Sequence, residues 1–103
     1  MRVIVLEKTR GVVYPMDIDN DLKSMQEIVG GYIECAPVPQ LNEMGIALVV
    51  NEEGVLLGLP INENLLPFFF AGPVFMVGVK GDEFVSLTGE QLIFIRDWLQ
   101  RMG

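Results

Sequence analysis

The chain has 103 residues, which is the length of one ordinary domain. Seven basic residues stand against fourteen acidic ones, and the net charge of −7 argues against a nucleic-acid binder, which needs a face of Lys and Arg. The same charge argues against docking on an anionic membrane. A mean hydropathy of +0.40 with 20% charged residues excludes a disordered chain. We therefore expect one globular domain over residues 1–103.

The residue types present exclude several kinds of catalytic chemistry. The chain contains no histidine and a single cysteine, Cys35. Without histidine there are no Ser-His-Asp or Cys-His catalytic pairs and no histidine-based zinc site. Cys35 follows Glu34, whose charge raises the pKa of a neighbouring thiol, so we expect Cys35 to be a small core residue. We predict no catalytic residue and no cofactor.

The first predicted elements are a hairpin and a helix. Val3–Leu6 and Val12–Tyr14 are β-branched or aromatic runs on either side of a polar turn, which is typical of paired strands. An apolar stripe at helical spacing follows. Asp19 or Asn20 is expected to cap the start of this helix, and Gly30 supplies a left-handed cap at its end.

The middle of the chain predicts three strands and a long loop. Tyr32–Val38 contains a proline and is expected at a sheet edge, whereas Gly45–Val50 is apolar on both faces and is expected inside the sheet. Val55–Leu59 is predicted to return from it as a strand across a four-residue hairpin turn. Pro60–Pro73 is predicted to be irregular, with one helical turn after Asn62.

The last predicted elements are a hairpin, Val74–Val79 with Glu83–Leu87, and a helix that opens with a capping box of Thr88 and Gln91. Short links join antiparallel strands, because parallel pairs need long crossovers. The predicted fold class is therefore α+β, a mostly antiparallel sheet of hairpins with two covering helices in a single layer pair.

The spacing of Asp17, Asp19 and Asp21 resembles the first ligands of a calcium loop. Such a loop continues with a glycine and ends with a bidentate glutamate at its twelfth position. Leu22 and Ile28 occupy those positions here. We therefore predict that the chain holds no metal and that these carboxylates serve the start of the helix.

The uncharged stretch 64–79 is too short to span a membrane and is interrupted by proline and glycine. It contains Phe68, Phe69 and Phe70, which would form an aggregation-prone patch if they remained in water. We expect these three residues, together with Trp98, to form the interface of a homodimer or a larger closed oligomer. The competing interpretation is that the segment folds back as a lid over the core.

Three motifs in order connect the chain to a known family. Gly30-Gly31-Tyr32-Ile33-Glu34, Asn51-Glu52-Glu53-Gly54 and Leu59-Pro60-x-Asn62 resemble a family catalogued as domain of unknown function 3846. The resemblance covers nearly the whole chain and departs from the family at the aromatic stretch Leu65 to Ala71. It implies an accessory protein of a bacteriophage or another mobile element, acting in the cytoplasm of a bacterial host cell.

The motif residues include four polar candidates for a ligand or partner site: Glu34, Asn51, Glu52 and Asn62. Small size, scarce catalytic groups and surplus aromatic residues favour a non-catalytic binding module acting on a host protein or a small molecule. The alternative is a homo-oligomeric structural or interaction protein with no small ligand. An enzyme that uses Glu34 or Glu52 as acid or base, and a nucleic-acid mimic, are the remaining hypotheses.

Overall fold

Within residues 1–102, which the computed structural model describes, six strands form one antiparallel sheet with three α-helices packed against it. This confirms the predicted α+β class. The strands are β1 (Arg2–Leu6), β2 (Val13–Asp17), β3 (Ile33–Ala36), β4 (Ile46–Asn51), β5 (Val74–Lys80) and β6 (Glu83–Val85). The helices are α1 (Leu22–Val29), α2 (Pro39–Asn42) and α3 (Gly89–Met102), and a short 3₁₀ helix covers Glu63–Leu65.

The strand order in the sheet is β2-β1-β5-β4-β3, and β6 pairs with the second half of β5. The interior strand β4 is buried along its whole length, as its two-sided apolar sequence predicted. The edge position of β3 is also confirmed. The opposite edge, β2, contains Pro15, which an edge strand tolerates because one side of its backbone needs no ladder hydrogen bond.

Alternation of side chains along the strands divides the core into two clusters on opposite faces of the sheet. On one face α2 and α3 pack with residues such as Leu48 and Met76. On the other face α1 packs with Val49 and Phe75. The molecule therefore has three layers, where the sequence predicted a single layer pair.

The N-cap of the first helix lies later in the sequence than either predicted cap. Asp21, not Asp19 or Asn20, is the N-cap, and its carboxylate accepts a hydrogen bond from the Ser24 N–H at 2.7 Å. The Asn20 amide is engaged elsewhere and donates to the carbonyl of Phe84. Gly30 ends the helix in the left-handed conformation, with φ of 80°, as predicted.

The last helix begins with the predicted capping box. The Thr88 N–H donates to Gln91 Oε1 at 3.0 Å, and the Gln91 N–H donates to Thr88 Oγ1 at 3.2 Å. The helix buries Ile95 and Trp98 on the sheet and leaves Ile93 on its polar side, 54% exposed.

The predicted strand Val55–Leu59 is wrong. After β4 the chain forms consecutive turns over residues 52–58, which we call the apolar turn. The Leu57 N–H donates to the Glu53 carbonyl at 2.8 Å, and Gly58 closes the turn with φ of 70°. Gly58 inside this run and Pro60 directly after it both disfavour a continuous strand, and they were the signals in the sequence against one.

Candidate functional site

The apolar turn presents three consecutive apolar side chains to solvent. Val55 is 76% exposed, Leu56 86% and Leu57 59%. Their backbone is nevertheless well organised, since the N–H groups of Leu57, Gly58 and Leu59 all donate to carbonyls within the turn. The exposure of these side chains is therefore a property of the folded turn.

The neighbouring segment, residues 60–71, follows the opposite rule. Asn62 is 0% exposed and donates through Nδ2 to the carbonyls of Leu6 and Gly72, at 3.0 and 2.9 Å. Its Oδ1 accepts from the Asn64 N–H at 3.0 Å. Every polar group of this amide is thereby satisfied inside the protein. Asn62, one of the four predicted site residues, is a structural anchor.

The three phenylalanines of this segment divide between the core and the surface. The ring of Phe68 stacks on those of Phe70 and Trp98, with centroids 5.7 and 6.2 Å apart. Trp98 is 2% exposed and its indole N–H donates to Gln40 Oε1 at 2.7 Å. Phe69 points outward and is 74% exposed. Of the expected interface residues Phe68, Phe69, Phe70 and Trp98, Phe69 is the most exposed, Phe68 is 36% exposed, and Phe70 and Trp98 pack against the core.

A cavity of about 250 Å³ brings three of the four predicted site residues together, namely Glu34, Asn51 and Glu52. Val55 and Phe69 line the same cavity, so the apolar turn and the outward phenylalanine belong to one surface. We call Val55, Leu56, Leu57 and Phe69 the apolar patch.

The side chain of Asn51 connects the start of the apolar turn to the end of α1. Its Nδ2 donates to the carbonyl of Val29 at 3.1 Å, and its Oδ1 accepts from the Glu53 N–H at 2.8 Å. A Cβ on Gly31 would lie 2.9 Å from Asn51 Nδ2, so glycine is required beside it. The first two family motifs therefore meet at one structural contact, and the Asn51 amide is not free for a ligand.

The apolar turn also depends on a close approach between Gly54 and the segment that carries Phe69. A Cβ on Gly54 would lie 3.1 Å from the carbonyl oxygen and 3.2 Å from the Cβ of Ala71. A larger residue would push the two walls of the cavity apart. Packing thereby explains the glycine of the second motif.

The charged side chains that line the cavity are Glu34 and Glu52, both exposed, and Glu53 follows on the turn. Cys35 is exposed on the edge strand beside Glu34, which corrects its expected place in the core. Partial burial of the thiol, and then the Glu34 charge, raise the pKa of Cys35. Cys35 is not among the residues that line the cavity, so the surface combines apolar side chains with carboxylates.

Two features are absent from the described part of the chain. In the described part of the chain, no three His, Cys, Asp or Glu side chains are grouped so that they could hold a metal ion. None of the helices over residues 1–102 has both the length and the apolar character needed to cross a membrane.

Among the residues at this surface, the sequence had pointed to Glu34, Glu52 and Phe69 as candidates, but not to Val55, Leu56 and Leu57. These three were assigned to a strand, in which alternate side chains would be buried. The signal that could have found them is their position between Gly54 and Gly58, because a short apolar run bounded by turn glycines has little strand to bury it.

Comparison with known proteins returns one result. No curated protein and no solved structure matches the chain significantly. A family model described as Domain of unknown function (DUF3846) matches residues 1–102, which is all but the last residue. The chain therefore belongs to the DUF3846 family.

Proposed function

We propose that this protein is a non-catalytic binding module that holds a segment of another protein on the apolar patch. The observation that carries the proposal is the exposure of Val55, Leu56 and Leu57, three consecutive apolar residues in a hydrogen-bonded turn. The polar groups nearby support a binding role over catalysis. Asn51 is committed to the backbone, and the carboxylates lie at the surface.

The energetics of burial favour a partner for this patch. Transfer of a Leu or Phe side chain from water into an apolar contact stabilises a complex by about 1.5–3 kcal/mol. The monomer gains none of this for Leu56 and little for Phe69. Contiguous exposed apolar side chains on a folded protein commonly mark an interaction surface.

The charge around the patch defines the chemistry of the partner. Glu34 and Glu52 line the cavity that Val55 and Phe69 share, and Glu53 is exposed on the turn, so a complementary segment carries Lys or Arg beside its apolar residues. We further propose that the partner is a host protein met in the bacterial cytoplasm, because the family resemblance implies a protein carried by a phage or another mobile element.

Self-association through the same patch is the second candidate, favoured by the outward position of Phe69. Two copies would each bring a charge of −7 and the same carboxylates to the contact, which opposes pairing. Light scattering after size exclusion at tens of micromolar separates the two. We expect a mass near 11.5 kDa. A doubled mass that Phe69→Asp returns to the monomer would establish the homodimer instead.

The test of partner binding is a selection from a displayed library of twelve-residue peptides. Wild-type protein is the target, and Leu56→Ser/Phe69→Ser is used for counter-selection. We expect enriched peptides to combine apolar residues with Lys or Arg and to bind the wild type at least about tenfold more tightly, which corresponds to about 1.4 kcal/mol.

The matched control for this selection is Ile93→Ser, because Ile93 is also an exposed apolar residue but lies alone on α3. Peptides selected on the wild type should bind Ile93→Ser as tightly as the wild type. Selected peptides that bind all three proteins equally, or a selection without enrichment, would contradict the proposed function.

A further inference from the structure

A second cavity lies on the other face of the sheet and shares no lining residue with the first. It is a groove of about 560 Å³ between α1 and the outer strands β1 and β2. The helix packs mainly on β3, β4 and β5, and its eight residues span only about 12 Å. The outer strands on this face are therefore left without a helix above them.

The floor of the groove is apolar and adaptable. Val5 is fully buried beneath it, while the side chain of Met16 remains 41% exposed on the neighbouring strand. Met1 and Ile28 complete the apolar lining. Unbranched methionine side chains adjust to ligands of different shape at little conformational cost.

Carboxylates surround this apolar floor. At one end the Tyr14 hydroxyl donates to Glu7 Oε1 at 2.7 Å, which leaves the second carboxylate oxygen of Glu7 for a ligand. Asp19 lies beyond the other end of β2, and Glu27 lies on α1. Within residues 1–102, neither of these two forms an ion pair.

Three positive groups lie near the groove: Arg2, the amino group of Met1, and Lys23, which lies on α1 outside the lining. Arg2 is paired with Asp17 at 2.8 Å, and the amino group of Met1 donates to the carbonyl of Ile18 at 2.8 Å. The amino group of Met1 keeps its charge, but the four carboxylates that line the groove, Glu7, Asp17, Asp19 and Glu27, outnumber these positive groups and keep a negative potential around an apolar centre. This pattern is complementary to a ligand that is apolar in its middle and positive at its ends.

We infer that the groove binds a linear aliphatic molecule with an ammonium group at each end, an α,ω-diamine or a polyamine. Tyr14, beside Glu7, and Asp19 are five residues apart along an extended segment, a distance of no more than about 16 Å. One ammonium donates to Glu7 and the other to Asp19, while the methylene chain lies on Val5 and Met16. Lysine stems use apolar surfaces in the same way.

The test is calorimetric titration in 150 mM NaCl with three probes. 1,8-Diaminooctane has both ammonium groups and a long chain, 1-aminooctane lacks one charge, and 1,4-diaminobutane is too short to reach both ends. We expect 1,8-diaminooctane to bind about tenfold more tightly than either of the others. Equal affinities for the three, or no binding of 1,8-diaminooctane, would overturn the inference.

Two pairs of substitutions separate this site from general attraction to an acidic protein. Glu7→Gln/Asp19→Asn changes the groove, and Glu43→Gln/Asp82→Asn removes the same charge at exposed positions outside it. We expect the groove pair to weaken binding of 1,8-diaminooctane about tenfold and the control pair to weaken it by less than about twofold. Equal weakening by both pairs would overturn the inference.

Methyl NMR locates the ligand independently of these variants. The Met16 methyl signal should shift on addition of 1,8-diaminooctane, and the signal of Met44, which lies outside the groove, should not. Equal shifts at both methionines would place the diamine elsewhere and contradict the assigned site.

Discussion

Two irregular segments follow one another after β4, and they use apolar residues in opposite ways. Residues 60–71 bury Leu65 completely and are tied to the sheet by the amide of Asn62. The apolar turn, residues 52–58, satisfies its own backbone and leaves its apolar side chains in water. Folding explains the first segment apart from Phe69, which points outward and belongs to the apolar patch. Folding does not explain the second segment, and this difference points to a partner.

The largest effect on stability is expected at Leu65. Leu65→Ala removes a side chain that is fully buried against the α3 face, and the remaining cavity adds to the lost transfer energy. We expect the free energy of unfolding to fall by about 3 kcal/mol, measured by urea denaturation. A loss below about 1 kcal/mol would show that residues 60–71 are not a firm part of the core.

Asn62→Ala should have the next largest effect. The substitution removes three hydrogen bonds and leaves the carbonyls of Leu6 and Gly72 without these donors. At about 1 kcal/mol for each bond, we expect a loss of about 3 kcal/mol or slightly less in the same urea experiment. An unchanged midpoint would remove the anchoring role assigned to this amide.

The pH dependence of stability should distinguish the charged helix cap, Asp21, from the neutral amide of Asn62. The Ser24 backbone N–H, with its side chain, lowers the pKa of Asp21 from the ordinary value of 3.8. Because the folded pKa is the lower one, this stabilisation is complete above about pH 4 and is lost as pH falls through the folded pKa. The stability difference between wild type and Asp21→Ala should therefore shrink below pH 4, as followed by urea denaturation. The difference for Asn62→Ala should persist, and parallel behaviour of the two variants would contradict the assignment.

The smallest effect on stability is expected at the apolar patch. Leu56→Ser and Phe69→Ser alter side chains that the folded monomer leaves largely exposed, so each should change the free energy of unfolding by less than about 0.5 kcal/mol. Ile93→Ser is the matched control and should behave alike. If Leu56→Ser lowered the free energy of unfolding by more than about 1.5 kcal/mol, the turn would contribute to folding, and the contrast between the two segments would be contradicted.

The regular part of this fold was largely predictable from local patterns. Apolar runs located the first and last hairpins and β4, and caps at Gly30 and Thr88 marked helix ends. Local patterns could not place the two long helices on opposite faces, because that choice depends on long-range packing. They also missed α2, since a four-residue helix has too short a pattern to be recognised.

The site was only partly predictable, for a physical reason. Polar motif residues looked like a site, yet the side-chain amides of Asn51 and Asn62 donate hydrogen bonds to backbone carbonyls distant in sequence. Leu56 looked like a strand residue, because an apolar side chain is ordinarily assumed to be buried. Exposure depends on what the rest of the chain covers, and no local pattern reports it.

The most direct test of the central claim is site-specific photo-cross-linking in bacterial cells that carry the protein. A photoreactive phenylalanine analogue replaces Leu56, Phe69 or, as control, Ile93. We predict that positions 56 and 69 yield the same adduct with another protein, that position 93 does not, and that Leu57→Ser abolishes the adduct. Identical adducts at all three positions, or adducts only between copies of this chain, would contradict a hetero-protein binding surface on the apolar patch.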